Sequence, residues 1–518
     1  MKAIIGALAC CLSLVATSPV QNPSSAPSCR FSLNYSQKDI LKDPSDYIWD
    51  LLYWEGKFHQ NDVGYDEQSG MTWDGSLLDP KTGRATRKNP FSAASKEALQ
   101  FMFYSHVIAG DRHAARFISP DDLNAAPDIA ASILATKLKT YLKFNETYPG
   151  FGGFLPWFAG NSSGISPTHD WNNRVPALDN GELLWGVYGV VRVLETSQKS
   201  SFRQLARGWQ KWLDFITLTT AKVFYMGKGE VCAVTKIEDQ NLDVNDPKQK
   251  YACENKDRLD DPYEGELFTW WLYFFGGLSK QDKASLWEAK RAKLVSVEYK
   301  QGNLGPITVQ KGFWFSSHEQ WKVMQMPYYD VDIVRRVFKN AERVRTCNSV
   351  VTKNPGMLAS VNNSTDTNNN IMGYISAAGI PSISFLPKQE LDVITPYGVY
   401  PVLMFSKEVG LAWWKNLVDA KKMQNPYGST ESARRDGTAI SSFVSWDSKM
   451  TTMNALLGGS QKYVREKMKK DGIYQEFLQI NQREHSRVFR NLKGEDVEFC
   501  LPKATIPEKG LEDYTECS

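Results

Sequence analysis

The sequence predicts an all-α fold, a closed α/α barrel of helical hairpins with long loops and few short strands. Three observations lead there. Apolar residues recur at helical spacing along most of the chain, no long series of alternating strands competes with them, and no short repeat marks a solenoid. At 518 residues the chain is too long for a four-helix bundle, and no Pro/Ser-rich linker divides it. One domain is therefore expected from residue 21 to 518.

The elements follow in order. Met1 to Ala16 carries one positive charge and then an apolar run, followed by small residues and a Pro-containing polar stretch. This reads as a signal peptide over residues 1–20, too short to span a bilayer, so a secreted protein without a membrane anchor is expected. Helical stretches are predicted near 39–54, 94–109, 126–143, 180–197, 202–216, 262–277, 281–296, 329–345, 407–423, 446–457 and 460–490. The clearest is the stripe Phe202, Leu205, Trp209, Trp212, Leu213 and Ile216, at spacings of three, four and seven. Ser95, Ser201 and Ser279 are read as N-caps. Strand pattern is confined to pieces such as Tyr374-Ile375-Ser376 and Ile383-Ser384-Phe385. Polar connections at 60–93, 146–179, 226–262, 297–316 and 347–395 suit a barrel whose loops build a site at one end.

Beyond the leader stand Cys29, Cys232, Cys253, Cys347, Cys500 and Cys517, an even number in an exported chain, which favours disulfides. Cys232 and Cys253 flank one polar stretch and are expected to pair; the other four stay unassigned. Glycosylation patterns occur at Asn34, Asn145, Asn161, Asn362 and Asn363.

Composition excludes several function classes. With 61 Lys+Arg against 58 Asp+Glu, the net charge is +3, so no basic excess is available for nucleic acid. Gly-x-Ser-x-Gly, dinucleotide and phosphate-loop fingerprints are absent, and no Cys/His spacing suggests a metal site. What stands out is 16 Trp beside 22 Tyr and 25 Phe. Such rings either fill a core or make flat platforms for sugars.

Carboxylates beside these aromatics are the candidate chemistry. Asp260-Asp261-Pro262-Tyr263-Glu264-Gly265-Glu266 places Glu264 and Glu266 at a helix start before an apolar run. A carboxylic acid against a buried aromatic face stays protonated and can act as a general acid; equally, acids there complement the helix dipole. Asp447 in Ser445-Trp446-Asp447 and Asp179 in Leu178-Asp179-Asn180 are candidates for which helix capping is the competing role. Trp314 and Trp321 flank His318-Glu319, which either brackets a sugar or packs in the core. Cutting a glycosidic bond needs an acid for the leaving oxygen and a second carboxylate for water or carbon.

The ordered set Leu178-Asp179-Asn180-Gly181-Glu182-Leu183, Tyr263-Glu264-Gly265-Glu266-Leu267-Phe268, His318-Glu319-Gln320-Trp321-Lys322 and Trp446-Asp447 resembles fungal endo-β-1,2-glucanases of glycoside hydrolase family 162. Bacterial enzymes of family 144 are more distantly similar. The resemblance implies an (α/α)6 barrel and anomer-inverting endo-hydrolysis of linear β-1,2-glucan to sophoro-oligosaccharides by a monomer, without metal or organic cofactor. It implies Glu264 as general acid, acting through a substrate hydroxyl, and Asp447 as general base through a hydroxyl and water chain. Asp179, Glu266, His318, Glu319 and Trp446 are then expected to bind substrate. Two residues apart on a helix point about 200° apart, so only one of Glu264 and Glu266 can face a cleft; Glu264 is preferred, with Glu266 the alternative. The competing functions are another α/α-barrel carbohydrase, either an exo-glucosidase or a polysaccharide lyase, and a non-catalytic carbohydrate-binding protein.

Overall fold

The computed structural model describes residues 28–89, 91–161, 164–362 and 372–517. The expected leader and Asn363 lie outside them, as do the two residues completing the Asn161 pattern.

Six helices pair with six more, outer then inner, along the chain. The outer ones are α1 (Ser45–Gly56), α3 (Ala126–Thr147), α5 (Ser200–Phe224), α7 (Lys280–Arg291), α9 (Asp332–Val351) and α11 (Lys407–Val418). The inner ones are α2 (Ala94–Ile108), α4 (Ala177–Thr196), α6 (Glu266–Phe275), α8 (Trp321–Gln325), α10 (Tyr400–Leu403) and α12 (Trp446–Leu456). Inner helices are buried almost all round, polar residues included, whereas α5 buries a single stripe. Trp209 and Trp212 of that stripe pack edge-on against Tyr141, and Trp209 also against Phe101, so they belong to the core.

The inner ring closes on itself. Helix α2 packs on α4 and α12, α4 on α6 and α8, and α10 on α12 and on the turn Ser317–Gln320 that leads into α8. Close approach of α4 and α6 depends on Gly181, where a Cβ would stand 2.5 Å from the Phe268 backbone nitrogen. Helices α13 (Gln461–Lys470) and α14 (Tyr474–Val488) complete the helical shell, with α13 against α4. The chain halves are also joined by a sheet in which Gly75–Leu78 pairs antiparallel with Phe443–Ser445 and Ala85–Lys88. Three disulfides, Cys29–Cys517, Cys232–Cys253 and Cys347–Cys500, use every described cysteine, including the expected pair.

Local expectations fail where tertiary contacts override pattern. Ser279 caps α7, but α2 starts at Ala94 and α5 at Ser200, so Ser95 and Ser201 lie inside their helices. The 460–490 stretch breaks at Gly472, whose φ of 77° ends α13. Residues 297–316, expected to be irregular, contain most of the hairpin Ser296–Gln301 with Leu304–Gln310. Of the expected strand Ile383-Ser384-Phe385, Ile383 ends the 3-10 turn Pro381–Ile383 and Ser384 makes a single bridge to Gly312.

Candidate active site

All six inner helices begin at the same pole, and the residues at their starts meet there. Lys96 of α2, Asp179 and Glu182 of α4, Glu264 just before α6, His318 and Trp321 at the start of α8, Tyr397 before α10 and Asp447 of α12 line one cavity of about 110 Å³. A groove of about 780 Å³ adjoins it, sharing Lys96 and Asp179 and running along Asp74, Phe91 and Trp157. Helix N-termini favour negative charge, so this pole suits a cluster of carboxylates.

The carboxylates in it are not occupied with capping. Ser445 caps α12 by accepting from the Ser448 backbone at 3.1 Å, which frees Asp447. Pro176 stands at the N-cap of α4, and Asp179 accepts from Trp157 Nε1 at 3.0 Å instead. Before α6, Asp261 accepts from the backbone of Tyr263 and Gly265, leaving Glu264 to project into the cavity.

Their environments differ in kind. Asp447 Oδ2 lies 3.0 Å from the Lys96 ammonium, while its Oδ1 is buried without a hydrogen-bond partner. Lys96 also stands 3.8 Å from Asp74, whose carboxyl burial pushes up to about 6 against the pull of Lys96. Glu264 has no cation against it. Burial first, then the charges of Asp261, Glu319 and Asp179, hold its pKa well above the carboxylate range. Its Oε2 is buried and unpartnered, and its Oε1 sits 4.0 Å from His318 Nε2. Burial, helped by the positive charge of Arg345, pushes His318 down to about 3, so this contact joins two neutral groups. Glu182 is likewise raised by burial, then by Asp179 and Glu264, and its Oε2 is also unpartnered. The cleft thus combines two protonated carboxyls, Glu264 and Glu182, with Asp447 paired to a cation and Asp179 held by an indole N–H.

Of the sequence candidates, Glu264, Asp447, Asp179 and His318 meet here. Three others do not. Glu266 turns into the core, where its Oε2 accepts from Lys322 Nζ at 2.8 Å and the Tyr328 hydroxyl at 2.7 Å, so it is no alternative to Glu264 in the cleft. Glu319 accepts from the backbone of Trp314 and Ser316 in a capping box and faces a separate small cavity beside Phe315 and Arg345. Trp446 is 0% exposed, donates to the Gly64 carbonyl and packs edge-on against Phe58, so it offers no sugar platform. Asn362, an expected glycosylation acceptor, is also buried.

Sequence reasoning passed over Lys96, Asp74, Glu182 and Trp157. The signal for Lys96 was a cation in a helix first turn, where the dipole disfavours it. Trp157 stacks between Phe91, at 5.6 Å, and Trp171, at 4.9 Å, with Arg174 over Trp171. Only pairing of Phe91–Ser92 with Phe158–Asn161 brings the first two rings together. The face of Phe91 on the groove, at the end of this stack, matches the C–H surface of a pyranose ring.

Residues 71–518 match the family described as endo-β-1,2-glucanase SGL, of glycoside hydrolase family 162. An endo-β-1,2-glucanase from Talaromyces funiculosus, solved with sophorose, is 60% identical, with a TM-score of 0.94 over 95% of this chain and 100% of that one. A Glu-to-Gln mutant from the same organism, solved with β-1,2-glucan, gives the same figures. An endo-β-1,2-glucanase from Chitinophaga pinensis, solved with sophorotriose and glucose, is 12% identical with a TM-score of 0.55, over 84% of this chain and 98% of that one. That last likeness is one of fold. A comparison with curated protein sequences returned no match.

Proposed function

The chain belongs to the endo-β-1,2-glucanase SGL family of glycoside hydrolases, and from that membership we infer that it hydrolyses β-1,2-glucan internally to sophoro-oligosaccharides. Glu264 is the general acid and Asp447 the general base of an anomer-inverting displacement. The observation that carries this reading is the opposed setting of two buried carboxyls on one cleft. Glu264 is kept protonated by burial, Asp447 is paired with Lys96, and each keeps one oxygen without a partner.

As the glycosidic C–O bond breaks, the Glu264 proton passes to the leaving oxygen through a substrate hydroxyl. A water adds to the anomeric carbon from the opposite face, and its proton passes through a hydroxyl and water chain to Asp447. Glu264 ends ionised and Asp447 protonated, and exchange with solvent resets both. Asp179, steadied by Trp157 Nε1, accepts from sugar hydroxyls beside the scissile bond. Neutral His318 stands next to Glu264, its Nδ1 2.8 Å from Ser316 Oγ and 2.7 Å from Ser360 Oγ. Phe91, backed by Trp157, receives more distant sugars along the groove. Export is part of the reading, supported by the apolar leader and three disulfides, which persist in oxidising compartments.

The test is product analysis with β-glucans of different linkage. Short oligomers from β-1,2-glucan alone are expected, and Glu264→Gln should abolish them. Full activity in that variant sinks the acid assignment. Glucose alone would mean exo action, and ultraviolet-absorbing unsaturated ends would mean a lyase.

A further inference from the structure

Lys96 is out of place by the ordinary rules of helices. It occupies the first turn of α2, where partial positive charge already gathers, and its side chain is only 14% exposed. A buried cation so placed is stabilised by what it faces. Its ammonium lies between two carboxylates, 3.0 Å from Asp447 and 3.8 Å from Asp74.

The surroundings make this cation a singular one for Asp447. Acidic groups approach from several elements: Asp74 before the sheet strand, Glu182 on α4, Glu431 against Ser445 and Ser448, and the phenols of Tyr374 and Tyr397. Asp179 faces Lys96 itself. Lys449, the nearest cation along α12, is committed elsewhere, bonded to Glu55 and the Ser429 carbonyl. Asp74 in turn is fixed from behind. Asn89 donates to its Oδ2 at 2.9 Å, its N–H bonds the Phe91 carbonyl, and its carbonyl accepts from Trp446 N–H at 3.1 Å. The same short stretch of backbone therefore sets both carboxyls that grip Lys96.

We propose that Lys96 is a positioning residue for the base, holding the Asp447 carboxyl by Oδ2 with Oδ1 turned to the cleft, and that Asp74 is the second anchor that keeps the ammonium in place. This rests on the assignment of Asp447 as base. Among the described residues Lys96 is the cation paired with Asp447, so removing it favours the protonated, inactive form of that carboxyl. Removing the Asp74 charge does the opposite, because Lys96 then serves Asp447 undivided.

The experiment is the pH profile of kcat/KM on β-1,2-glucan for Lys96→Met, Lys96→Arg, Asp74→Asn and Asp447→Asn, with thermal melting of each. Lys96→Met should lower kcat by about 100-fold or more and move the acidic limb up by about one pH unit, with KM changed less than about threefold. Lys96→Arg, which keeps the charge, should hold the limb near its original place. Asp74→Asn should move the limb to lower pH. A structural role would not shift the limb in opposite directions. An unmoved limb in Lys96→Met, or in Asp74→Asn should the former not fold, overturns the proposal. Activity surviving in Asp447→Asn overturns the base assignment instead, whatever the lysine variants do.

Discussion

Two sets of buried carboxyls sit within this barrel, and they are built differently. Away from the cleft, three of them are enclosed by donors. Glu55 accepts from the Ser429 backbone and hydroxyl and from Lys449; Glu97 accepts from the Thr72 backbone and hydroxyl and pairs with Lys137; Glu266 accepts from Lys322 and Tyr328. In the cleft, Glu264, Glu182 and Asp447 each leave one buried oxygen without a partner. An unpaired buried polar atom costs free energy, so three around one cavity are tolerated only where a ligand supplies the missing partners. Burial alone therefore does not separate scaffold from chemistry in this protein. Completeness of hydrogen bonding comes closer, although scaffold Glu342 also keeps Oε2 unpartnered while Gln320 and Arg345 hold its Oε1.

Substitutions should divide along that line. The largest effect falls in the open set: Glu264→Gln should lose about 10³-fold in kcat/KM while its melting temperature does not fall. Loss of folding on that change would place Glu264 with the scaffold. Next, in the closed set, Glu55→Ala strands the Lys449 ammonium and should cost about 3–5 kcal/mol in denaturant unfolding, with activity per folded molecule kept. Smaller again, Trp157→Ala should raise KM about tenfold by removing the support of Phe91 and the Asp179 donor, measured on long glucan. The smallest effect is a pH dependence of stability. The Glu264 pKa is raised in the folded state, so its contribution is complete below the ordinary carboxylate range and is lost as pH rises through the folded value. Glu264→Gln cannot ionise, so its melting temperature should gain on that of the unaltered protein as pH rises from about 4 to 8. Parallel curves would mean that Glu264 is not held neutral.

The helices were legible because apolar spacing is local. The stripe on α5 and the long run of α6 reveal themselves without partners. Caps were less so, since whether Ser95 or Ala93 precedes α2 depends on strand pairing elsewhere. Glu264, Asp447, Asp179 and His318 were legible through ordered motifs. Glu266, Glu319 and Trp446 share those motifs but point the other way, and direction is decided by partners such as Lys322, Tyr328 and Gly64 that spacing does not reveal. Asp74 is the extreme case. It reaches the site because Gly75–Leu78 pairs with Phe443–Ser445, some 370 residues away, and nothing near it in the chain announces that.

That same long-range seam has a mechanical meaning. The Cys29–Cys517 bond, with Cα atoms 5.0 Å apart, links the two sides of the chain across 488 residues. Tension applied between these points runs through a covalent link and bypasses the helices, so the cleft bears none of it. Once that bond is reduced, the load falls first on the contacts beside it, where Ser28 donates to the Cys517 carbonyl and Arg30 pairs with Asp513. Stretching the reduced molecule would thus peel the two ends apart before it reached the strand pairing that sets Asp74 beside Asp447.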